Sequence, residues 1–189
     1  GTLILKGEYL HMRCCAHILS LTVKEGLKDL DDSIFRIRAA VRYVRASPSR
    51  LARFKSCVAE ENIESNAFLS LDVETRWNST YLMLESALKF QKAFDLLEIK
   101  DDKFRSDLTR DKMRGVPTEE DWAYARGILP FLKAFYDATL SISGSLFTTC
   151  SQFVEEILGV GYEIREQCES DDPSVRLMAE RMKRKHNKY

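Results

Sequence analysis

A mainly α-helical bundle of about six to seven helices, preceded by one short β-strand, is the fold this sequence predicts. Three observations lead there. From Ala16 onward apolar residues recur at spacings of three and four, the period of a helix that buries one face. Ser47-Pro48 and Asp172-Pro173 each set a capping side chain before the residue best suited to a helix's first position. Before Ala16 the pattern alternates instead, as a strand's does.

The strand comes first. Thr2-Leu3-Ile4-Leu5, a turn at Lys6-Gly7-Glu8, and a second run in which Leu10, Met12 and Cys14 share a face predict extended chain. A lone strand has nothing to pair with, so this one belongs to a sheet whose other strands lie elsewhere. A helix follows, with Leu19, Val23, Leu27 and Leu30 on one stripe. Asp31, Asp32 and Ser33 cap the next, in which Ile34, Ile37, Val41 and Val44 form the buried face and Arg36, Arg38, Arg42 and Arg45 the other. Pro48 opens a short helix to about Glu61, and the polar stretch to Ser70 reads as a loop.

A long helix is expected from about Arg76 to Ile99, carrying Tyr81, Leu84, Leu88 and Phe94. Lys100 to Val116 is charged and aperiodic and reads as a mobile connection. Thr118-Glu119-Glu120-Asp121 resembles a capping box with Asp in the reciprocal place. It opens a helix with Trp122, Ala125, Leu129, Leu132, Phe135 and Leu140, which Pro130 should kink near Arg126. Further helices are expected from Thr148 to Cys168 and from Pro173 to the basic run Arg181–His186.

Composition narrows the function classes. With 29 basic and 29 acidic residues the chain has no net charge, so any grip on a phosphate backbone must come from a local patch. No apolar run approaches the roughly 20 residues that span a bilayer, which argues against a membrane partner. Five cysteines at irregular spacings suit reduced thiols better than a disulfide framework.

Three clusters offer chemistry. Cys14-Cys15-Ala16-His17 joins a thiol and an imidazole at the strand-to-helix junction, but zinc needs four ligands and His11 and His186 form no second half-site, so no metal or other cofactor is assigned. The carboxylate pairs Asp31-Asp32, Asp101-Asp102 and Asp171-Asp172 sit at helix starts or in loops, where capping explains them. Asp72 to Leu84, DVETRWNSTYLML, sets the Arg76 cation beside the flat Trp77 ring and the small polar Asn78, Ser79 and Thr80. That set suits a nucleic-acid contact, with Trp77 stacking on a base. On the residues alone the favoured reading is a helix start in which Trp77 anchors the core and Arg76 pairs with Asp72 or Glu74.

The run LHMRCCAHILSLTVKEGL, followed some fifty residues on by LDVETRWNSTYLMLESAL, resembles the hAT superfamily of DNA transposases, above all its plant, BED-finger, sleeper-type branch. The family's Cys-x-x-His matches Cys14 and His17, and its Arg-Trp matches Arg76 and Trp77. The resemblance implies that residues 1–15 are a remnant strand of a truncated RNase H-like core and residues 16–189 an all-helical insertion-type domain. It implies a DNA-binding set of Arg76, Trp77, Asn78 and His17, with Trp77 on an unpaired base and Arg76 on a phosphate. Cys14, His17, Asp72 and Trp77 are the matching motif positions, with a structural part as well.

The family's Asp-Asp-Glu catalytic set would lie outside this chain, so no enzymatic activity is expected of it. The expected protein is then a non-catalytic piece of a hAT transposase, or of a domesticated transposase-like nuclear regulator, that contributes DNA binding. The other reading is a transposase-derived helical scaffold that binds proteins instead of DNA. Expected partners are DNA in the longer parent and a second copy or another protein.

Overall fold

The computed structural model describes residues 15–28, 31–65, 68–73, 76–110, 114–144 and 150–188. Those residues form nine helices: α1 Cys15–Leu27, α2 Asp31–Arg45, α3 Pro48–Glu60, α4 Trp77–Lys89, α5 Gln91–Lys100, α6 Asp102–Thr109, α7 Glu119–Gly144, α8 Cys150–Gln167 and α9 Pro173–His186. The expected strand, with Cys14, lies outside the described residues, and among the described residues there is no strand. The mainly helical class holds, while the expected six to seven helices become nine.

Two departures explain the larger number. The helix expected from Arg76 to Ile99 breaks at Phe90, whose backbone (φ −113°, ψ 16°) leaves the helical region. Its N–H closes a tight turn onto Ala87, and its ring turns inward to meet Phe54 edge-on at 5.9 Å. The stretch expected to be a mobile connection contains α6 instead. Its charge hides one apolar pair at helical spacing, Phe104 and Leu108, both buried, and the Phe104 ring lies edge-on to Tyr43 at 5.1 Å. Asp101 caps this helix by accepting from the Lys103 N–H, and it also takes bonds from Tyr43 Oη (2.9 Å) and Arg53 (2.7 Å). One buried carboxylate thus ties α6 to α2 and α3.

The long α7 is the hub, touching α1, α2, α4, α8 and α9. It continues past Pro130, and Trp122, Ala125, Ile128, Phe131, Leu132 and Phe135 line its buried side, whereas Leu140 is exposed. The α2 stripe of Ile34, Ile37, Val41 and Val44 is fully buried, as its period requires. Thr118 and Asp121 complete their reciprocal cap: the Thr118 N–H donates to the carboxylate at 2.7 Å and the Asp121 N–H to Thr118 Oγ1 at 3.4 Å.

Asp121 does more than cap. Its carboxylate accepts from Ser33 Oγ (2.6 Å) and from both Arg36 Nε (2.6 Å) and a terminal nitrogen of Arg36, locking α7 to α2. Burial alone would raise this carboxyl, but the bonds from Arg36, Ser33 and Thr118 outweigh it and hold the pKa down at about 2. Because the folded value lies below the ordinary 3.8, this contribution is complete above pH ~4 and is lost as pH falls toward 2. Unfolding followed across that window should lose about 2 kcal/mol from this group. In Asp121→Asn that part of the acid dependence should vanish.

Among the described residues α1 and α9 share the most extensive helix–helix contact. A Cβ built on Gly26 would stand 2.4 Å from Met182 Cγ and 2.6 Å from its Sδ, and Met182 is fully buried. Gly26→Val should therefore cost about 2–3 kcal/mol by overpacking, read as a lower urea midpoint.

Candidate nucleic-acid interface

Asp72 is the centre of the segment that carries the Arg-Trp pair. Its side chain is sealed from solvent and accepts three hydrogen bonds, from Arg38 Nε (2.6 Å), Ser79 Oγ (2.7 Å) and Thr80 Oγ1 (3.0 Å). The arginine comes from α2 and the two hydroxyls from the first turn of α4, so one carboxylate fastens the incoming chain to both helices. A buried charge persists only when paired in this way. The alternative pairing of Asp72 with Arg76 is not what forms.

Arg76 is the N-cap residue of α4, extended at φ −121° and ψ 99°, and its side chain caps nothing. Ser79 ties the turn to the helix: its Oγ accepts from the Val73 N–H at 2.8 Å, and its own proton lies within reach of Asp72 Oδ1 and the Arg76 carbonyl, both at 2.7 Å. The Arg76 N–H donates back to the Val73 carbonyl at 2.7 Å. This turn fixes the chain direction so that the Arg76 side chain is exposed while the next residue points inward.

Trp77 is that residue, only 5% exposed and part of the continuous hydrophobic core. Of the two readings open to it, the core anchor is the one realised in this conformation. Asn78 is half-buried, and among the described residues its Oδ1 has no hydrogen-bond partner. His17 is exposed on the first turn of α1, a helix that touches α4. The structure therefore groups Arg76, Trp77 and Asn78 at one helix start, with Arg76 outward and Trp77 inward. Among the described residues no hydrogen bond or ion pair joins His17 to them.

The arginine face of α2 also divides. Arg36 is committed to Asp121 and Arg38 to Asp72, which leaves Arg45 exposed beyond them. Sequence reasoning missed both commitments. Asp72 and Arg38 lie 34 residues apart, and Asp121 and Arg36 85 apart, so nothing local pairs them. The signal that was present is the Ser79-Thr80 pair after Asp72, whose hydroxyls a helix start commonly turns toward a nearby carboxylate. Among the described residues no group of three His, Cys, Asp or Glu side chains gathers to hold a metal. No helix there is long and apolar enough to cross a membrane.

Residues 12–131 match the family described as the ZBED1 RNase-like helical domain, and the chain belongs to that family, within the hAT-derived, sleeper-type group. It is 33% identical over its whole length to the rice (Oryza sativa subsp. japonica) zinc finger BED domain-containing protein RICESLEEPER 2, covering 25% of that protein. It is 34% identical, again over its whole length, to a putative AC transposase of Zea mays, covering 23%. DAYSLEEPER of Arabidopsis thaliana is 27% identical over 72% of the chain and 18% of its own length. The chain thus spans about a quarter of the length of the first two of these relatives. No solved structure matches it.

Proposed function

We propose that this chain is a non-catalytic, DNA-contacting helical region of a hAT-derived nuclear protein, and that its contact centres on the start of α4. The observation that carries the reading is the Arg76 guanidinium, held outward at a helix N-terminus by the buried Asp72–Arg38 pair and without an ion-pair partner among the described residues. A cation there, beside the positive end of α4, suits a phosphate oxygen. The half-buried Asn78 and the exposed His17 are the proposed neighbours of that contact.

Trp77 takes a positioning role in this proposal. Its buried ring sets the direction of the α4 start that presents Arg76 and Asn78, and stacking on an unpaired base would require the ring to leave the core. Relatives named as transposases and zinc finger BED proteins support DNA as the partner of the longer protein and the nucleus as its place. Residues 1–15 are proposed as the join to an RNase H-like core and residues 16–189 as the inserted helical domain.

The test is hairpin-DNA binding by fluorescence anisotropy at several salt concentrations. Arg76→Ala touches no core contact, so it should leave the unfolding midpoint in place. It should weaken binding and lower the salt slope by about one phosphate contact. Equal affinity and equal salt slope in wild type and Arg76→Ala would remove Arg76 from the interface.

A further inference from the structure

Away from the start of α4, an apolar slot of about 250 Å³ opens between α3 and the extended segment 68–73. Leu51, Phe54 and Val58 of α3 form one side, and Leu69 and Phe90 close the other. At the mouth stands Phe68, a residue 54% exposed although the slot lies beside it. Leu71 and Val73, also exposed, extend the apolar surface along the same segment. Isolated exposed hydrophobic side chains need no explanation, but several beside a concavity mark a binding surface.

Two cations frame the mouth. The Arg45 guanidinium lies 5.0 Å from the Phe68 ring centre and the Lys55 ammonium 5.4 Å. The other cations facing this part of α3 are engaged: Arg50 with Asp107 at 2.8 Å and Arg53 with Asp101 at 2.7 Å. Arg45 and Lys55 have no carboxylate partner among the described residues. The slot thus combines an apolar interior with positive charge at its rim that no carboxylate among the described residues offsets. Its complement is a large apolar side chain with carboxylates next to it.

A nucleobase fits less well. Its edges carry donors and acceptors that must stay paired when buried, and these walls offer them little beyond Ser65 and Lys55. We propose that the slot between α3 and residues 68–73 is a docking site for an acidic peptide segment. The segment inserts one large apolar side chain beside Phe68 and sets its carboxylates against Arg45 and Lys55. This site is separate from the start of α4 and stands whether or not Arg76 contacts DNA.

The experiment uses the 189-residue chain and labelled peptides that carry one Phe, Leu or Trp flanked on both sides by Asp and Glu. Fluorescence anisotropy should show saturable binding by at least one of them. Replacing its apolar residue by Ala, or introducing Phe68→Ser, should weaken binding at least about tenfold. The Arg45→Glu, Lys55→Glu double variant should do the same, and Arg76→Ala should leave the affinity unchanged. Phe68, Arg45 and Lys55 are exposed, so these variants should keep the wild-type unfolding midpoint; as a second readout, backbone amide shifts on peptide addition should cluster at Leu51, Val58 and Leu69. No saturable binding by any of the peptides up to about 1 mM would overturn the proposal. So would binding indifferent to Phe68→Ser or to the double charge reversal. A single-stranded oligonucleotide that occupies the slot in preference to every peptide would overturn it too.

Discussion

Replacing Asp72 by alanine should lower the stability of the chain by about 3–5 kcal/mol, the usual cost of stranding one partner of a buried ion pair. The loss is large because three groups are stranded together. Arg38, whose side chain is 12% exposed, would lose its Asp72 counter-ion, and the Ser79 and Thr80 hydroxyls would lose their shared acceptor. Urea unfolding gives the figure directly. Adding Arg38→Met to Asp72→Ala should recover part of it, since the stranded charge is removed, and the cycle isolates the coupling. If Asp72→Ala shifts the midpoint no more than an ordinary surface substitution, the carboxylate is not the fastening point described above.

Trp77→Ala should cost a similar amount, about 3–5 kcal/mol, by opening a cavity where a buried indole stood. Trp77→Phe keeps a flat ring in the core and should cost distinctly less. The pair of variants separates two explanations for any loss of DNA binding. A loss in both, with Trp77→Phe still folded, would point to the indole as a contact. A loss confined to Trp77→Ala, tracking its lower midpoint, would leave Trp77 as the residue that aims Arg76. A Trp77→Ala protein as stable as wild type would contradict the burial itself.

What could be read from the residues alone follows the range of the forces involved. Helix periods and caps are local, and they located α2, α3, α7, α8 and α9 to within a few residues. The Asp172 cap forms as expected, its carboxylate accepting from the Ser174 N–H at 2.8 Å. α6 escaped because its charges outnumber the two apolar residues that hold it down, and burial of Phe104 and Leu108 is decided by α2 and α5, not by the segment itself. The break at Phe90 escaped for the same reason, since a ring on α3 calls it.

The candidate site shows the same division. The motif around Arg76 and Trp77 was legible as a candidate, but not which of its two neighbours would face out. That depends on Arg38, a residue the arginine stripe of α2 presents as one more solvated cation. Phe68 drew no attention in a segment that reads as polar loop, and its exposure emerges only once α3 is placed against it.

The close seat of α1 on α9 has a consequence in time. The two helices are separated by roughly 150 residues of chain. At about 5–20 residues per second of synthesis, α1 leaves the ribosome on the order of 10–30 s before its principal partner exists. During that interval Leu19, Val23 and the Gly26 backbone lack the α9 side chains, Met178 and Met182, that cover Gly26 in the folded chain. A ribosome stalled within α8 should therefore hold a protease-sensitive chain that the addition of α9 converts to a more resistant one.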